Sequence, residues 1–351
     1  LTSIDSNVYF FAMSGDNNGS SHTGEKGIWK SDGTSGGTVL LENFGDFSST
    51  SYGAPGYLHA FGDKLMFLKD DAAGGGNQWE PWIKPLNGNL SVKLKDIRIG
   101  DEGSGFKCEI ILNSKCYGSA ESWKYGPEIW VSDGTSRGTN ILKDINTDIS
   151  NGDNTSGSVP SYLTFAEDKF FFMAYRPSEG FAIWKSDGTS DGTVMVKDLL
   201  SDVASYADRD HFSNFTGVGN KLFFTFEDSM GKQVLYTSDG TSGGTKIVKE
   251  ISSGDSRVFE MANVAGTLFF WYQDSDNDSV SGLYKTDGTS TGTSRIKAFS
   301  GDVYYVTSLK ADGSRAYFEL ENSNGFKEFW TSDGTEEGTI KLLSKAMMVE
   351  E

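Results

Sequence analysis

The phrase Ile28-Trp29-Lys30-Ser31-Asp32-Gly33-Thr34 returns along the chain, and a short unit repeated at a fixed period leaves few folds open. It recurs as Ile129-Trp130-Val131-Ser132-Asp133-Gly134-Thr135 and as Ile183-Trp184-Lys185-Ser186-Asp187-Gly188-Thr189. Looser copies follow at Leu235-Tyr236, Leu283-Tyr284 and Phe329-Trp330, each running on into Asp-Gly-Thr. Every copy is followed three residues later by Gly-Thr and a short apolar strand.

From Asp133 the motif aspartates step by 54, 52, 48 and 46 residues, whereas Asp32 to Asp133 spans 101. A degraded copy fills that gap. Pro81-Trp82-Ile83-Lys84-Pro85-Leu86-Asn87-Gly88-Asn89 keeps the Trp and puts Asn-Gly-Asn in place of Asp-Gly-Thr. An independent feature gives the same count of seven, because an apolar strand pair around a tight turn precedes every motif. These turns fall at Asp5-Ser6-Asn7, Gly62-Asp63-Lys64, Asn113-Ser114-Lys115, Glu167-Asp168-Lys169, Gly219-Asn220-Lys221, Ala265-Gly266-Thr267 and Ala311-Asp312-Gly313.

Four strands, A to D, in about 50 residues match a propeller blade. The chain therefore reads as all-β, a single seven-bladed β-propeller over 1–351 with four antiparallel strands per blade. The approximate blades are 1–46, 47–99, 100–149, 150–203, 204–254, 255–300 and 301–351. Stacked blades bury both faces of each sheet, so strand B is expected to be apolar throughout, as Phe170-Phe171-Phe172-Met173 is. Ring closure by packing, with no blade shared between the termini, is the expected ending.

Gly 43 against Pro 6 and 13% aromatic residues suit short strands, polar turns and a core of large rings. A net charge of −18 argues against nucleic acid as a partner, since that binding depends on Lys and Arg displacing counterions. No apolar run approaches the roughly 20 residues that span a bilayer, so no direct membrane insertion is expected. The sequence opens at Leu1 without an initiator Met or a signal-peptide pattern, which reads as a mature segment or an excised domain. Cys108 and Cys116, with seven residues between them on neighbouring strands, favour a disulfide over two buried thiols, and with the composition point to an extracellular compartment.

The Asp-Gly-Thr segment sits where strand C must reverse into strand D. Gly supplies positive φ, and the Asp carboxylate accepts from turn amides. Identical chemistry in every blade is what a repeated turn requires, so these aspartates read as structural and the motif aromatics as inter-blade core. The motif resembles the ELWxxDGT repeats of large secreted and surface proteins of bacteria, over essentially the whole chain, with Ile, Leu or Phe beside the aromatic and a degraded second copy. The resemblance implies a propeller-like repeat domain in an extracellular, often multidomain protein. It carries no general catalytic signature.

Specific chemistry is then expected on the face bearing the B–C and D–A connections, which vary in length and composition. Trp79, Trp123 and Tyr125 lie there, with Trp271 and Tyr272 at the end of a B strand; Asp208 and Asp210 add charge beside them. Exposed rings stack on sugar faces, or alternatively pin long loops to the scaffold, and both readings stay open. His22, His59 and His211 are the only histidines. His59 aligns on strand A with Thr2, Ile110, Thr164, Thr216, Ala262 and Thr307, a ring expected to line the channel. If the chain is an enzyme, His59, His211 and Arg209 are the candidate catalytic residues, although a lone His is more often a satisfied polar group.

Asp274, Asp276 and Asp278 alternate as calcium ligands do, without the glycine and terminal glutamate of an EF-hand. A solvated acidic loop is the favoured reading; no cofactor is required, and calcium is the metal this pattern would take. The functional expectation is an extracellular or cell-surface binding or adhesion module, with glycan or another surface protein as partner. A polysaccharide lyase or glycoside hydrolase with a funnel site, and a structural subunit of an extracellular assembly, are the alternatives.

Overall fold

The computed structural model describes residues 1–13, 26–44, 56–70, 78–100, 102–147, 157–199, 211–227, 232–249, 257–274, 281–299, 305–322 and 324–345. Seven four-stranded antiparallel sheets, each in the order A-B-C-D from consecutive strands, make the fold a seven-bladed β-propeller. No sheet borrows a strand from another repeat. The described chain separates into two compact units: Leu1–Leu163 with Ala174–Pro177 and Gly188–Thr193, and Thr164–Met173 with Ser178–Asp187 and Val194–Glu351.

Strand B is the buried spine of each blade. Phe170, Phe171, Phe172, Met173 and Ala174 are all fully buried, as are Leu222, Phe224, Leu268 and Phe270. Alternation disappears because both faces of the strand meet apolar neighbours, as the sequence leads one to expect. Motif aromatics fill the space between blades. Trp130 of blade 3 packs with Phe61, Met66 and Ile83 of blade 2 in the first unit. Trp330 of blade 7 stacks on Phe318 at 6.3 Å and meets Phe299 of blade 6 edge-on at 5.0 Å in the second.

The C–D turn is held by a network repeated almost atom for atom. In blade 5, Asp239 Oδ1 accepts from the Thr241 N–H at 2.8 Å and from its hydroxyl at 2.7 Å. Thr241 Oγ1 accepts from the Gly244 N–H, and the Thr245 hydroxyl donates to the Thr241 carbonyl. The Thr241 hydrogen bonds hold the Asp239 carboxyl below the usual carboxylate range. A β-carbon on Gly244 would stand 2.0 Å from Asp239 Oδ1, so the second Gly of the motif leaves room for the carboxylate. Lysines in or just after strand D then tie blade to blade: Lys95 Nζ reaches the Thr139 carbonyl at 2.5 Å, Lys143 the Thr193 carbonyl at 2.8 Å and Lys197 the Thr245 carbonyl at 3.0 Å.

Two departures from the sequence reading matter for the site. The B–C connection that carries Trp123 and Tyr125 is a tight turn: strand B of blade 3 runs Lys115–Ser122 and strand C Gly126–Ser132, leaving only Trp123-Lys124-Tyr125 between them. Strand A also bulges near its start, with the register slipping between Gly56 and His59 in blade 2 and between Ser213 and Thr216 in blade 5. Each bulge turns a residue that regular pairing would bury toward another direction.

Candidate functional site

Strand A of blade 2 (Gly56–Phe61) contributes three neighbours of very different exposure, because the bulge breaks its alternation. Leu58 is buried, His59 is half-buried and Tyr57 is 60% exposed, with φ at 56°. Tyr162, at the aligned position of strand A in blade 4, has φ 58° and is 40% exposed. Left-handed backbone costs a side chain-bearing residue about 1–2 kcal/mol. In blade 5 the position is Asn214, which tolerates that geometry and uses it, donating from Nδ2 to Thr225 Oγ1 and to the Val258 carbonyl. Two exposed tyrosines in strained positions are therefore the exception that points to a site.

Both rings line one cavity of 1010 Å³ within the first unit, together with His59, Lys107, Glu109 and Glu121. A second cavity of 290 Å³ shares Tyr57, Gly105 and Lys107 with it and is completed by Trp79, Leu68 and Gly103. Burial lowers the His59 imidazole below its ordinary value, so the ring is neutral at physiological pH. It raises Glu109, against the Ser119 N–H, which donates to Glu109 Oε1 at 3.3 Å, and the nearby charge of Lys107. Glu121 is neutralised by Arg98 Nη1 at 2.7 Å, and Arg98 also pairs with Glu102 and lies 4.4 Å from the Trp123 ring centre. Lys107 Nζ sits 3.8 Å from the centre of the Tyr57 ring.

The cavity walls are D–A connections, and two buried glutamates clasp them. Glu80 Oε1 accepts from the Arg98 and Ser104 N–H groups at 3.1 Å each, while Oε2 accepts from the Ile97 N–H at 3.2 Å and the Ser104 hydroxyl at 2.7 Å. Glu128, fully buried, takes the same position in blade 3, accepting from the Asn146 and Ser158 N–H groups at 2.9 and 3.0 Å and from the Ser158 hydroxyl at 2.5 Å. Next to the first clasp, the Gly105 N–H donates to the Trp79 carbonyl, and a β-carbon on Gly103 would stand 2.0 Å from Trp79 N. The disulfide between Cys108 and Cys116, Cα atoms 5.4 Å apart, fixes the segment that carries Lys107 and Glu109 to strand B of blade 3. The arrangement is a rigid, half-polar cleft with exposed rings, suited to holding a polyhydroxylated ligand.

Of the residues singled out from sequence, Trp79 and His59 fall on this cleft, and Trp123 flanks it through Arg98 and through Nε1, which donates to the Ile99 carbonyl at 2.7 Å. Tyr125 is a half-buried turn residue whose ring centre lies 4.7 Å from Lys124 Nζ. Trp271 and Tyr272 are corrected. Each is only 1% exposed, because strand B runs on to Gln273 and its last rings are still between blades; Trp271 packs on Phe299 at 5.1 Å. Asp274 is likewise buried and accepts from the Tyr272 hydroxyl at 3.0 Å, so it is a strand-end partner and not an open loop ligand. Asp276 and Asp278, like Asp208, Arg209, Asp210 and His22, lie outside the described residues. His211 is engaged in its own blade, Nδ1 standing 2.6 Å from the Glu227 carbonyl oxygen. Among the described residues no group of three or more His, Cys, Asp or Glu side chains could hold a metal ion.

Sequence reasoning missed Tyr57, Tyr162, Lys107, Glu109 and both clasps. The clasps did leave a signal: a Glu two residues before the motif Trp occurs at Glu80, Glu128 and Glu328.

Neither a protein-family model nor a curated protein sequence matches the chain. Solved structures do resemble it in fold. A structure from a study of two prolyl endopeptidases superposes with TM-score 0.52 at 11% identity, over 97% of this chain and 49% of that one. An oligogalacturonate lyase in complex with manganese gives 0.52 at 9%, over 98% and 87%. A puromycin-hydrolysing peptidase of Mycobacterium tuberculosis gives 0.51 at 10%, over 100% and 53%. The chain thus spans about half the length of the two peptidase chains. At these identities the likeness is one of fold.

Proposed function

We propose that the chain is an extracellular or cell-surface module that binds glycan through the cleft of blades 2 to 4. The observation that carries this reading is the pair Tyr57 and Tyr162, exposed on one cavity at backbone positions a Tyr occupies only at a cost. Their ring faces offer apolar C–H stacking, and His59, Glu109 and Lys107 offer hydrogen-bonding partners for hydroxyls around them. The disulfide supports an oxidising compartment, and no helix among the described residues is long and apolar enough to cross a membrane. A glycan array in calcium-containing buffer tests the reading: specific binders are expected, with Tyr57→Ala and Tyr162→Ala each weakening them at least tenfold. No binder in the array, or variants that bind like the parent chain, would overturn it.

A second reading is favoured by a different observation: an imidazole whose pKa burial lowers and a carboxyl whose pKa burial raises line the same cavity, the pairing general acid–base chemistry uses. This reading makes the chain a polysaccharide lyase or hydrolase with His59 as base and Glu109 as acid. Release of unsaturated or reducing ends from a polysaccharide panel, abolished by His59→Ala, would favour it over simple binding.

A further inference from the structure

The small cavity differs from the large one in charge. The large cavity carries two carboxyl groups, Glu109 and Glu121, whereas among the described residues the only charged side chain on the small one is Lys107. That ammonium is held on the face of the Tyr57 ring and makes no ion pair among the described residues, unlike Arg98, which has two carboxylate partners. In a chain of net charge −18, where acidic groups outnumber basic ones by 49 to 31, the Lys107 ammonium stands near enough for Glu109 to feel its charge without pairing to that carboxyl. Its position is not left to chance either. Gly105, two residues before it, is hydrogen-bonded to Trp79; Ser104 is clasped by Glu80; and Cys108, next to it, is disulfide-bonded.

We propose that the small cavity is a subsite for a single acidic sugar, a uronate or sialate-type unit, whose carboxylate pairs with Lys107 while its ring lies against Trp79. The proposal rests on the glycan-binding reading and sharpens it. At 290 Å³ the cavity lies at the lower end of the roughly 300–1,000 Å³ typical of small-molecule sites, the scale of one sugar ring. Trp79 and Leu68 supply the apolar wall, and the backbone at Gly103 and Gly105 leaves that wall without further side chains. The ammonium would exchange a cation–π contact for a charge-assisted hydrogen bond, or keep both, since the ring occupies only one side of it. Neutral units would extend into the large cavity, whose described lining has no Lys or Arg besides Lys107 to pair with a second anionic sugar. The acidity of the whole chain makes the same selection at longer range, repelling polyanions but admitting one terminal charge.

The test is a glycan array of matched pairs, each a neutral glycan and the same glycan ending in a uronate or a sialate, probed with the parent chain, Lys107→Met and Lys107→Arg. The expected result is at least a tenfold preference for the acidic member that falls to within twofold in Lys107→Met, returns in Lys107→Arg and shrinks at high salt, the preference being read as the ratio within each pair. Urea unfolding of all three chains checks that they are equally folded. Binding of neutral members with no acidic preference, or a preference that survives Lys107→Met, overturns the subsite and leaves the glycan-binding reading standing. Absence of binding to every pair overturns both.

Discussion

Glu128 is the place where burial and hydrogen bonding compete most directly, and their balance can be read from pH. Three donor residues converge on its carboxylate, Asn146 through its N–H at 2.9 Å, Ser158 through its N–H at 3.0 Å and its hydroxyl at 2.5 Å, and Ile145 through its N–H, and favour the ionised form. Burial opposes them and wins, pushing the carboxyl up to about 7 from the ordinary 4.5. Between those two values the native chain holds a proton that the unfolded chain has released. Unfolding free energy therefore falls as pH rises across that window, and the contribution present below about 4.5 is gone above about 7. At about 1.4 kcal/mol per pH unit the change attributable to this one group is at most about 3 kcal/mol.

Glu128→Gln keeps the shape and cannot titrate. Its side-chain carbonyl can serve only part of the three donors, and its amide faces the rest, so a constant offset of about 1–3 kcal/mol is expected at every pH. The informative quantity is the change in that offset. Urea unfolding of the parent chain and of Glu128→Gln, followed by tryptophan fluorescence from pH 4.5 to 7.5, should show the parent losing up to about 3 kcal/mol relative to the variant as pH rises. Parallel curves would refute the reasoning. A parent that gained on the variant would show that the three donors outweigh burial and that the clasp is a firmly ionised carboxylate.

Three further outcomes follow from the same structure. Gly244→Ala forces a β-carbon against Asp239 Oδ1 and should lower unfolding free energy by about 1–3 kcal/mol, whereas Gly243→Ala, which meets nothing within 4 Å, should be near neutral by urea titration. Replacing Cys108 and Cys116 together by Ser removes a cross-link over a sequence separation of 8, worth about 2–3 kcal/mol by loop entropy, and should weaken glycan binding because Lys107 and Glu109 flank Cys108; unchanged binding would separate the disulfide from the site. Trp271→Ala, at 1% exposure, should cost about 3–5 kcal/mol by thermal or urea unfolding, while Trp123→Ala, at 49%, should cost less than about 1 kcal/mol.

What the amino-acid order disclosed and what it hid divide by the range of the interactions. The Asp239 turn is closed by partners two to four residues away, so composition and spacing suffice to recognise it. The blade count follows from the same locality. Trp271 and Tyr272 were misread because an apolar strand end and an aromatic loop look alike until Phe299 and Tyr284 of the same blade and Phe318 of the next are in place. Tyr57 owes its exposure to a bulge, which exists only once strand A is paired with strand B, and Tyr162 shares its left-handed backbone at the aligned position, so no local signal marks them.

The clasps are the instructive intermediate case. A glutamate stands two residues before the motif Trp in blades 2, 3 and 7, yet only Glu80 and Glu128 find donors in a following D–A connection, 17 to 30 residues onward. In blade 7 the same position turns to near neighbours, Glu328 accepting from Trp330 Nε1 and from Lys341 Nζ. The sequence pattern is shared, and the chain that comes after it decides what the carboxylate does. Blades 2 and 3 are also the blades whose D–A connections wall the cleft, through Ser104, Gly105 and Lys107 from one and Pro160 from the other. A buried carboxylate is costly to keep unless it orders something, and here each orders a wall of the same cavity. In a chain of near-identical repeats, the positions where the repeats disagree about buried charge thus mark the site more sharply than the motif they share.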